Sequence, residues 1–353
     1  MWSEDYNVGK LTLDMELSTF CNARCPQCSR TFGTTLEEQP WLTKNPNELS
    51  ADEIRKIVFD PALQHIESCY INGNYGDIVM HNDPMSVIEV LAERKLQSIR
   101  IHTNGGAQST TFWKELAKYS PKLMVYFAID GLEDTNHLYR QNVKWEFVER
   151  NMKAFIAAGG RARWDYLIFE HSECDVERAE QLAKEWGVER FMKKKTGRFI
   201  NANSEKKETH QAKNRKGADM QQLAKPKKAE HQNLALLKQE EITKTYGSMM
   251  DYYNQATVKC KVAGKDTKSI FITAEGLVMP CCWTAGRMYK WWHSDPKVEQ
   301  IWDFIDAAGG KDGISAKVNG IEGVFASGIM KDIQRSWAFN SIKEGKLGVC
   351  AQK

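Results

Sequence analysis

The sequence predicts an α/β fold built on a parallel sheet, and two patterns predict it. Short runs of apolar or alternating side chains, which are typical of strands, recur six times in the first 200 residues. Stretches with helical periodicity separate these runs, and a helix is the usual crossover between neighbouring parallel strands. The chain has 353 residues, of which 42% are hydrophobic, so it can form one large domain and a smaller one.

Each element carries a local signal. The first strand alternates apolar and polar side chains over residues 11–17. The first helix begins after Ser50, because Ser50 and Glu53 form the pattern of a capping box. Gly159 and Gly187 end two later helices, since glycine readily adopts the left-handed conformation of a helix C-terminus. The predicted strands cover 11–17, 66–72, 98–103, 123–130, 163–169 and 189–194, and the predicted helices cover 51–63, 85–95, 111–119, 145–158 and 176–186.

Three cysteines in the pattern C-x3-C-x2-C follow the first strand directly. Cys21, Cys25 and Cys28 lie in one loop, and three thiolates so close together suit an iron–sulfur cluster. A four-iron cluster held by three cysteines keeps one iron open to an outside ligand. A structural zinc site normally has four ligands, and Pro26 and Asn22 between the cysteines argue against a packed core of buried thiols. The pattern therefore predicts a cluster with an open iron.

This spacing resembles the signature of the radical S-adenosylmethionine (radical SAM) superfamily. In that family the open iron chelates the amino and carboxylate groups of S-adenosylmethionine (SAM). The resemblance implies a partial (β/α)6 TIM-like barrel, whose chemistry gathers at the carboxyl ends of the strands. Gln27 stands where many members of the family have an aromatic residue before the third cysteine.

The ends of the next three strands extend the resemblance. Residues 72–77 look like the glycine-rich loop that binds the methionine amino group in this family, with Asp77 where glutamate is commoner. Two glycines allow the backbone to approach a ligand closely. The resemblance implies these cofactor-binding residues: Gly73, Asn74, Tyr75, Gly76, Asp77, Thr103, Asn104 and Asp130.

A second set of cysteines follows in the C-terminal part. Cys260 and Cys281 flank a predicted hairpin with its turn at residues 274–276, which brings the two thiolates together. The arrangement C-x15-G-x4-C closely resembles the opening of SPASM and twitch extensions, which hold auxiliary iron–sulfur clusters. We predict a single 4Fe–4S cluster, as in a twitch domain, with Cys350 as a third ligand. Cys282 stays open as a further ligand or a packed thiol, because neighbours on a strand face opposite ways. The remaining Cys69 and Cys174 are predicted to be structural.

Composition and charge narrow the class of protein. The formal net charge is only +3, no apolar run is long enough to cross a bilayer, and no export leader is visible, so we expect a cytoplasmic protein without a membrane partner. Residues 193–228 contain twelve Lys or Arg against three Asp or Glu. With almost no interleaved aromatic residues, this segment favours a solvated linker over a nucleic-acid surface, and a helix is predicted at 234–246. The predicted domains are the barrel at 1–200, a linker and helix at 201–259, and an auxiliary-cluster domain at 260–353.

The resemblance implies reductive cleavage of SAM to a 5′-deoxyadenosyl radical, which abstracts hydrogen from a substrate. Oxidation or crosslinking of a peptide or protein side chain is the favoured outcome, and oxidation or rearrangement of a small molecule or nucleotide is the alternative. An external one-electron reductant such as flavodoxin or ferredoxin would be the partner. A non-catalytic iron–sulfur electron carrier is the third possibility, and it would not need the glycine-rich loop.

Overall fold

One mixed sheet organises the computed structural model, which describes residues 10–30, 47–199, 207–214, 218–263, 267–288 and 296–351. Eight strands are hydrogen-bonded in the order β10–β9–β1–β2–β3–β4–β5–β6, and a separate pair is formed by β7 and β8. The strands are β1 Lys10–Met15, β2 Ile66–Ile71, β3 Ser98–Thr103, β4 Leu123–Ala128, β5 Arg161–Ile168, β6 Arg190–Lys195, β7 Thr209–Lys213, β8 Asp219–Ala224, β9 Thr267–Ile272 and β10 Val278–Met279.

The six predicted strands are confirmed, and β1 to β6 pair in parallel in sequence order. The described helices are α1 Ala51–Val58, α2 Pro84–Glu93, α3 Thr110–Ala117, α4 Asn136–Tyr139, α5 Trp145–Ala157, α6 Val176–Trp186, α7 Ala235–Tyr246, α8 Met249–Gln255, α9 Cys282–Gly286, α10 Pro296–Ala307, α11 Gly310–Gly313, α12 Ala316–Ala326, α13 Ile329–Ser336 and α14 Gly348–Ala351. Strands alternating with helices give the partial barrel that the sequence predicted.

The first helix is shorter than predicted. Ser50 forms the expected capping box with Glu53, but α1 ends at Val58 instead of residue 63. Asp60 then accepts a hydrogen bond from the Ala62 amide at 2.9 Å and starts a separate 3-10 turn. A proline at 61 has no amide hydrogen to continue an α-helix, so the turn begins anew.

The two faces of the sheet differ in chemistry. On the helix-covered face, Leu13, Ile101 and Trp164 are fully buried, and the Trp164 ring stacks on Trp186 of α6 at 5.6 Å between centroids. We call the opposite side the open face, because its side chains are only partly buried and are mostly polar. Alternation along each strand places every second residue on the open face.

The C-terminal hairpin is joined to the barrel sheet. β9 and β10 pair in antiparallel register around the turn at residues 274–276, as predicted. In addition β9 pairs in parallel with β1, from Lys10 opposite Thr267 to Met15 opposite Ile272. The predicted auxiliary domain therefore shares one sheet with the predicted barrel, while the domain boundaries themselves remain predictions.

The segment predicted to be a linker contains a folded hairpin. β7 and β8 pair antiparallel, and Ala212 and Leu223 are fully buried. Residues 200–206 and 215–217 of this segment lie outside the described residues. The helix predicted at 234–246 is present as α7. Among the described residues, no helix has both the length and the apolar character needed to cross a membrane.

Candidate metal centre and cofactor site

The three N-terminal cysteines lie together at the carboxyl end of β1. The Cys28 amide donates to the Cys25 carbonyl at 2.9 Å, which closes the loop into a turn. The pKa of Cys25 is raised to about 11, chiefly by burial; Arg140 lowers it, and the neighbouring Cys28 adds to the rise. The pKa of Cys21 is also raised, first by burial and then by Asp77 and the other two thiols. An iron–sulfur cluster, whose irons are cationic, would favour the thiolate forms that burial disfavours.

The donor set fits a cluster by its chemistry. Within the described ranges, no three His, Cys, Asp or Glu side chains come close enough to hold one metal ion. A four-iron cluster distributes its thiolates over separate irons, so its ligands need not converge on one point. Cys21, Cys25 and Cys28 would each hold one iron.

Arg140 connects the cysteine loop to the end of β4. Its Nη1 atom lies 3.5 Å from Cys25 Sγ, and its Nε donates to Asp130 Oδ2 at 2.6 Å. Asp130 is fully buried, and its Oδ1 accepts from the Leu167 amide at 2.8 Å. Asp130 is predicted to contact the cofactor, and in the structure it binds Arg140. Its contacts orient a guanidinium that favours the thiolate form of Cys25.

The glycine-rich loop after β2 packs directly on the cysteine loop. A Cβ atom on Gly76 would lie 1.8 Å from the Ser18 carbonyl oxygen, and one on Gly73 would lie 2.1 Å from the Gly76 carbonyl oxygen. The Asp77 amide donates to the Phe20 carbonyl at 2.7 Å. Only glycine fits at positions 73 and 76, because a side chain there would overlap a backbone carbonyl oxygen.

Glu16 holds this loop from below, and the sequence analysis did not identify it. Its Oε1 accepts from the Gly76 amide at 3.2 Å and from the Tyr75 amide. Glu16 is 1% exposed, and burial raises its pKa to about 8. The available signal was an acid at the end of an alternating strand, two residues after Asp14.

Asp77 and Asn104 form the polar centre of the site. Asp77 Oδ2 accepts from the Asn104 amide and from Asn104 Nδ2, both at 2.8 Å, and Oδ1 accepts from the Val79 amide at 3.2 Å. Asn104 Nδ2 also donates to Asn22 Oδ1 at 2.8 Å and lies 3.9 Å from Cys21 Sγ. Three loops therefore meet at Asn104, as the strand-end prediction required.

Gln27 is a further residue whose role the sequence did not show. It is fully buried, and its Oε1 accepts from Thr196 Oγ1 at 3.2 Å, just beyond β6. Its Nε2 donates to the Arg198 carbonyl at 3.4 Å. His210 of β7 contacts the Pro26 carbonyl at 3.2 Å, so the β7–β8 hairpin lies against the same loop. An amide in place of an aromatic residue thus ties the cysteine loop to the far end of the sheet.

An open cavity of about 490 Å³ lies where these loops meet. The three cysteines and Arg140 line one side of it. Six of the eight predicted cofactor residues line the other side, namely Gly73, Tyr75, Gly76, Asp77, Thr103 and Asn104. Asn74 and Asp130 do not line it. This volume includes space that is open to solvent.

The second set of cysteines also assembles. Burial raises the pKa of Cys350 to about 12, and Cys281 and Cys260 both add to that rise, so the three thiols are within electrostatic reach. Cys281 is the N-cap residue of helix α9, with its Sγ 3.7 Å from Thr284 Oγ1. Cys350 lies in the short helix α14 and packs against the core.

The premise about Cys282 is also corrected. β10 ends at Met279, and Cys282 is the first residue of α9, so the alternation of a strand does not apply to it. Cys282 is partly buried against the core. Of the two cysteines predicted to be structural, Cys69 is fully buried, whereas Cys174 is exposed.

No protein-family model matches this chain, and no curated protein matches it. Among solved structures, Streptococcus suis SuiB bound to S-adenosylmethionine is similar, with a TM-score of 0.50, 15% identity, and coverage of 84% of this chain and 66% of SuiB. SuiB bound to the precursor peptide SuiA gives a TM-score of 0.51, 14% identity, and coverage of 82% and 65%. The structure of anSMEcpe with bound AdoMet gives a TM-score of 0.45 and 16% identity, with coverage of 77% of this chain and 74% of anSMEcpe.

SuiB is a radical SAM enzyme. The chain therefore has the fold of radical SAM enzymes, a partial (β/α)6 TIM-like barrel, and spans about two thirds of the length of SuiB.

Proposed function

We propose that this protein is a radical SAM enzyme. The observation that carries the proposal is the shared cavity, in which the C-x3-C-x2-C thiols face a glycine-rich loop and Asn104 on this fold. An electron carrier would need the thiols, but it would not need the glycine-rich loop and Asn104 to line the same cavity. When bound, a reduced 4Fe–4S cluster and SAM supply a 5′-deoxyadenosyl radical that takes hydrogen from a substrate.

The residues of the chain have distinct parts in this proposal. Cys21, Cys25 and Cys28 hold the cluster, and Arg140 stabilises the Cys25 thiolate by a charge-assisted hydrogen bond. The cofactor lies along the loop from Gly73 to Asp77, where Glu16 fixes the backbone amides and Asn104 fixes the Asp77 carboxylate. The walls of the cavity limit the access of water to the reacting groups.

A peptide or protein side chain is the substrate class we favour, with oxidation or crosslinking as the net reaction. Support comes from SuiB, which has this fold and was solved with a precursor peptide. Cys260, Cys281 and Cys350 would hold a second cluster that takes up an electron from the substrate. A flavodoxin or ferredoxin would deliver the electron that starts the reaction.

The test is the formation of 5′-deoxyadenosine by the anaerobically reconstituted and reduced protein. We expect the wild type to form it from SAM and the variant C21A/C25A/C28A to form none, because the cluster loses every thiolate ligand. Cys69→Ala is the matched control, since it also removes a buried thiol, but on the helix-covered face. A wild type that binds iron and yields no 5′-deoxyadenosine would leave the electron carrier as the better assignment.

A further inference from the structure

The open face of the sheet, below the cavity, is lined by aromatic and charged side chains. Tyr70, His102 and Tyr126 come from three neighbouring strands, and their ring centroids lie 6.2–6.5 Å apart. Tyr70 and Tyr126 belong to alternate strands, which in a flat sheet would lie about 9.6 Å apart. The rings therefore converge on the concave side of the barrel.

This face is continuous with the candidate site. His102 and Ala128 line the same cavity as the three cysteines. His102 is also a member of the aromatic group. A substrate that reaches the cavity from within the barrel would therefore contact the aromatic group first.

Two arginines are held in place on this face by the tyrosines. The Arg100 guanidinium lies 5.1 Å from the centre of the Tyr70 ring, and that of Arg163 lies 4.4 Å from the centre of the Tyr126 ring. Arg100 Nε is buried and has no hydrogen-bond partner. A stacked guanidinium loses little further freedom when it binds, which makes it a preorganised donor for an anion.

Positive charge exceeds negative charge here. Asp165 is approached by three nitrogen groups: Arg163 Nε at 2.6 Å, and His102 Nε2 and Lys194 Nζ at 3.5 Å each. The carboxylate facing Arg100 is Asp14, and burial raises the pKa of Asp14 to about 7, so its charge is incomplete. Arg163 and Lys194 thus share the ionised carboxylate of Asp165, while Arg100 faces the incompletely ionised Asp14, so the positive charge is in excess.

We propose that the open face binds an anionic group of the substrate, a carboxylate or a phosphate, through Arg100, Arg163 and Lys194. This inference rests on the proposed function, since it names the chemistry of that enzyme's substrate. Guanidinium groups bind both anions through paired hydrogen bonds. The tyrosines would pack against the part of the substrate that adjoins the anion.

The experiment is calorimetric titration of the full chain with reconstituted clusters and no reductant, so that no turnover occurs. The titration is done with SAM bound, so that the probes cannot occupy the cofactor site, and again without it. The probes are glutarate for a carboxylate, inorganic phosphate for a phosphate, and glutaramide as the neutral match of glutarate. We expect one anion to bind and glutaramide not to bind, and the anion that binds identifies the source of the charge.

Variants locate the binding. Arg163→Gln and Arg100→Gln should each weaken anion binding at least tenfold. Arg163→Lys keeps the charge, so its affinity for the anion should stay within about threefold of the wild-type affinity. Arg178→Gln on the surface of α6 is the matched control and should change neither anion binding nor SAM cleavage. The proposal is overturned if neither anion binds, if glutaramide binds as well as glutarate, or if Arg178→Gln weakens binding as much as Arg163→Gln does.

The two proposals fail in different ways. A wild type that binds the anion through Arg163 and yet forms no 5′-deoxyadenosine when reduced overturns the proposed function and not the anion site. A wild type that forms 5′-deoxyadenosine, but whose anion binding is insensitive to Arg100 and Arg163, overturns the anion site alone.

Discussion

Asp77 is predicted to bind the cofactor, and the structure shows which groups hold its carboxylate in place. The resemblance makes it a direct acceptor for an ammonium group. In the structure its carboxylate already accepts three hydrogen bonds, two from Asn104 and one from Val79, and it is 4% exposed. It therefore fixes Asn104, which faces Cys21 and Asn22.

Asp77→Ala should weaken the binding of SAM at least tenfold without lowering the iron content. The substitution removes a charge-assisted hydrogen bond to Asn104, which costs about 1.5–3 kcal/mol, while the thiolates stay in place. Equilibrium binding of SAM and iron analysis on the same preparation check both parts.

Asp83→Ala is the matched control for this prediction. Like Asp77, Asp83 accepts a backbone hydrogen bond: it caps helix α2 by accepting from the Ser86 amide at 3.2 Å, but it lies outside the cavity. The substitution Asp83→Ala should cost about 1 kcal/mol of stability and leave SAM binding unchanged. Equal SAM affinity in the wild type and in Asp77→Ala would reduce residues 73–77 to an ordinary turn.

At the scale of elements, the β9–β10 hairpin and α14 decide whether there is a second cluster. The hairpin carries the chain to Cys281, and α14 brings Cys350 to the same place from the end of the chain. Since β9 pairs with β1, this group of thiols is attached to the barrel sheet itself. A cluster held there would be rigidly placed relative to the first.

The double variant C260A/C281A should lower the iron content by about one four-iron cluster, because at most Cys350 and Cys282 remain to hold it. Uncoupled cleavage of SAM should continue, since the N-terminal thiols are untouched, while conversion of the true substrate should fail. Iron analysis and electron paramagnetic resonance of the reduced protein measure the loss.

Cys174→Ala serves as the control, because Cys174 is exposed and distant in sequence from both sets. It should change neither iron content nor turnover. Zinc in place of iron at the second set, or one cluster only in the fully reconstituted wild type, would contradict the assignment.

For the molecule as a whole, the carboxyl group of Asp14 on the open face makes the stability depend on pH. Burial raises the pKa of Asp14 from 3.8 to about 7, and Arg100 only partly opposes this. The folded state therefore binds a proton more tightly than the unfolded state does between these two values. Stability must fall as the pH rises through that window, and it is greatest below it with respect to this group.

Asp14→Asn should remove this dependence. Between pH 5 and 6 the free energy of unfolding of the metal-free wild type should fall, relative to the variant, by up to about 1.4 kcal/mol per pH unit. Denaturant unfolding at several pH values measures the difference. Asp134→Asn, at an exposed position, should run parallel to the wild type. Parallel curves for Asp14→Asn and the wild type would show that Asp14 is ionised in the folded state.

Local patterns were sufficient to predict most of the barrel and the centre of the site. Six strands, the hairpin turn at 274–276 and the capping box at Ser50 follow from periodicity and turn chemistry, which act over a few residues. The C-x3-C-x2-C spacing brought three thiols together because a short loop leaves them little room to separate. Gly73 and Gly76 marked a tightly packed loop in the sequence, because only glycine permits so close a backbone contact.

Tertiary structure alone decided the contacts between distant parts of the chain. Arg140 reaches Cys25 across 115 positions, Gln27 meets Thr196 across 169, and β9 joins β1 although a whole barrel separates them in sequence. The composition of the basic segment predicts a solvated linker, yet the β7–β8 hairpin lies in it, with Leu223 packed into the core and Ala212 fully buried. Such pairings depend on which surfaces meet when the helices and strands pack, and no local pattern in the sequence records that choice.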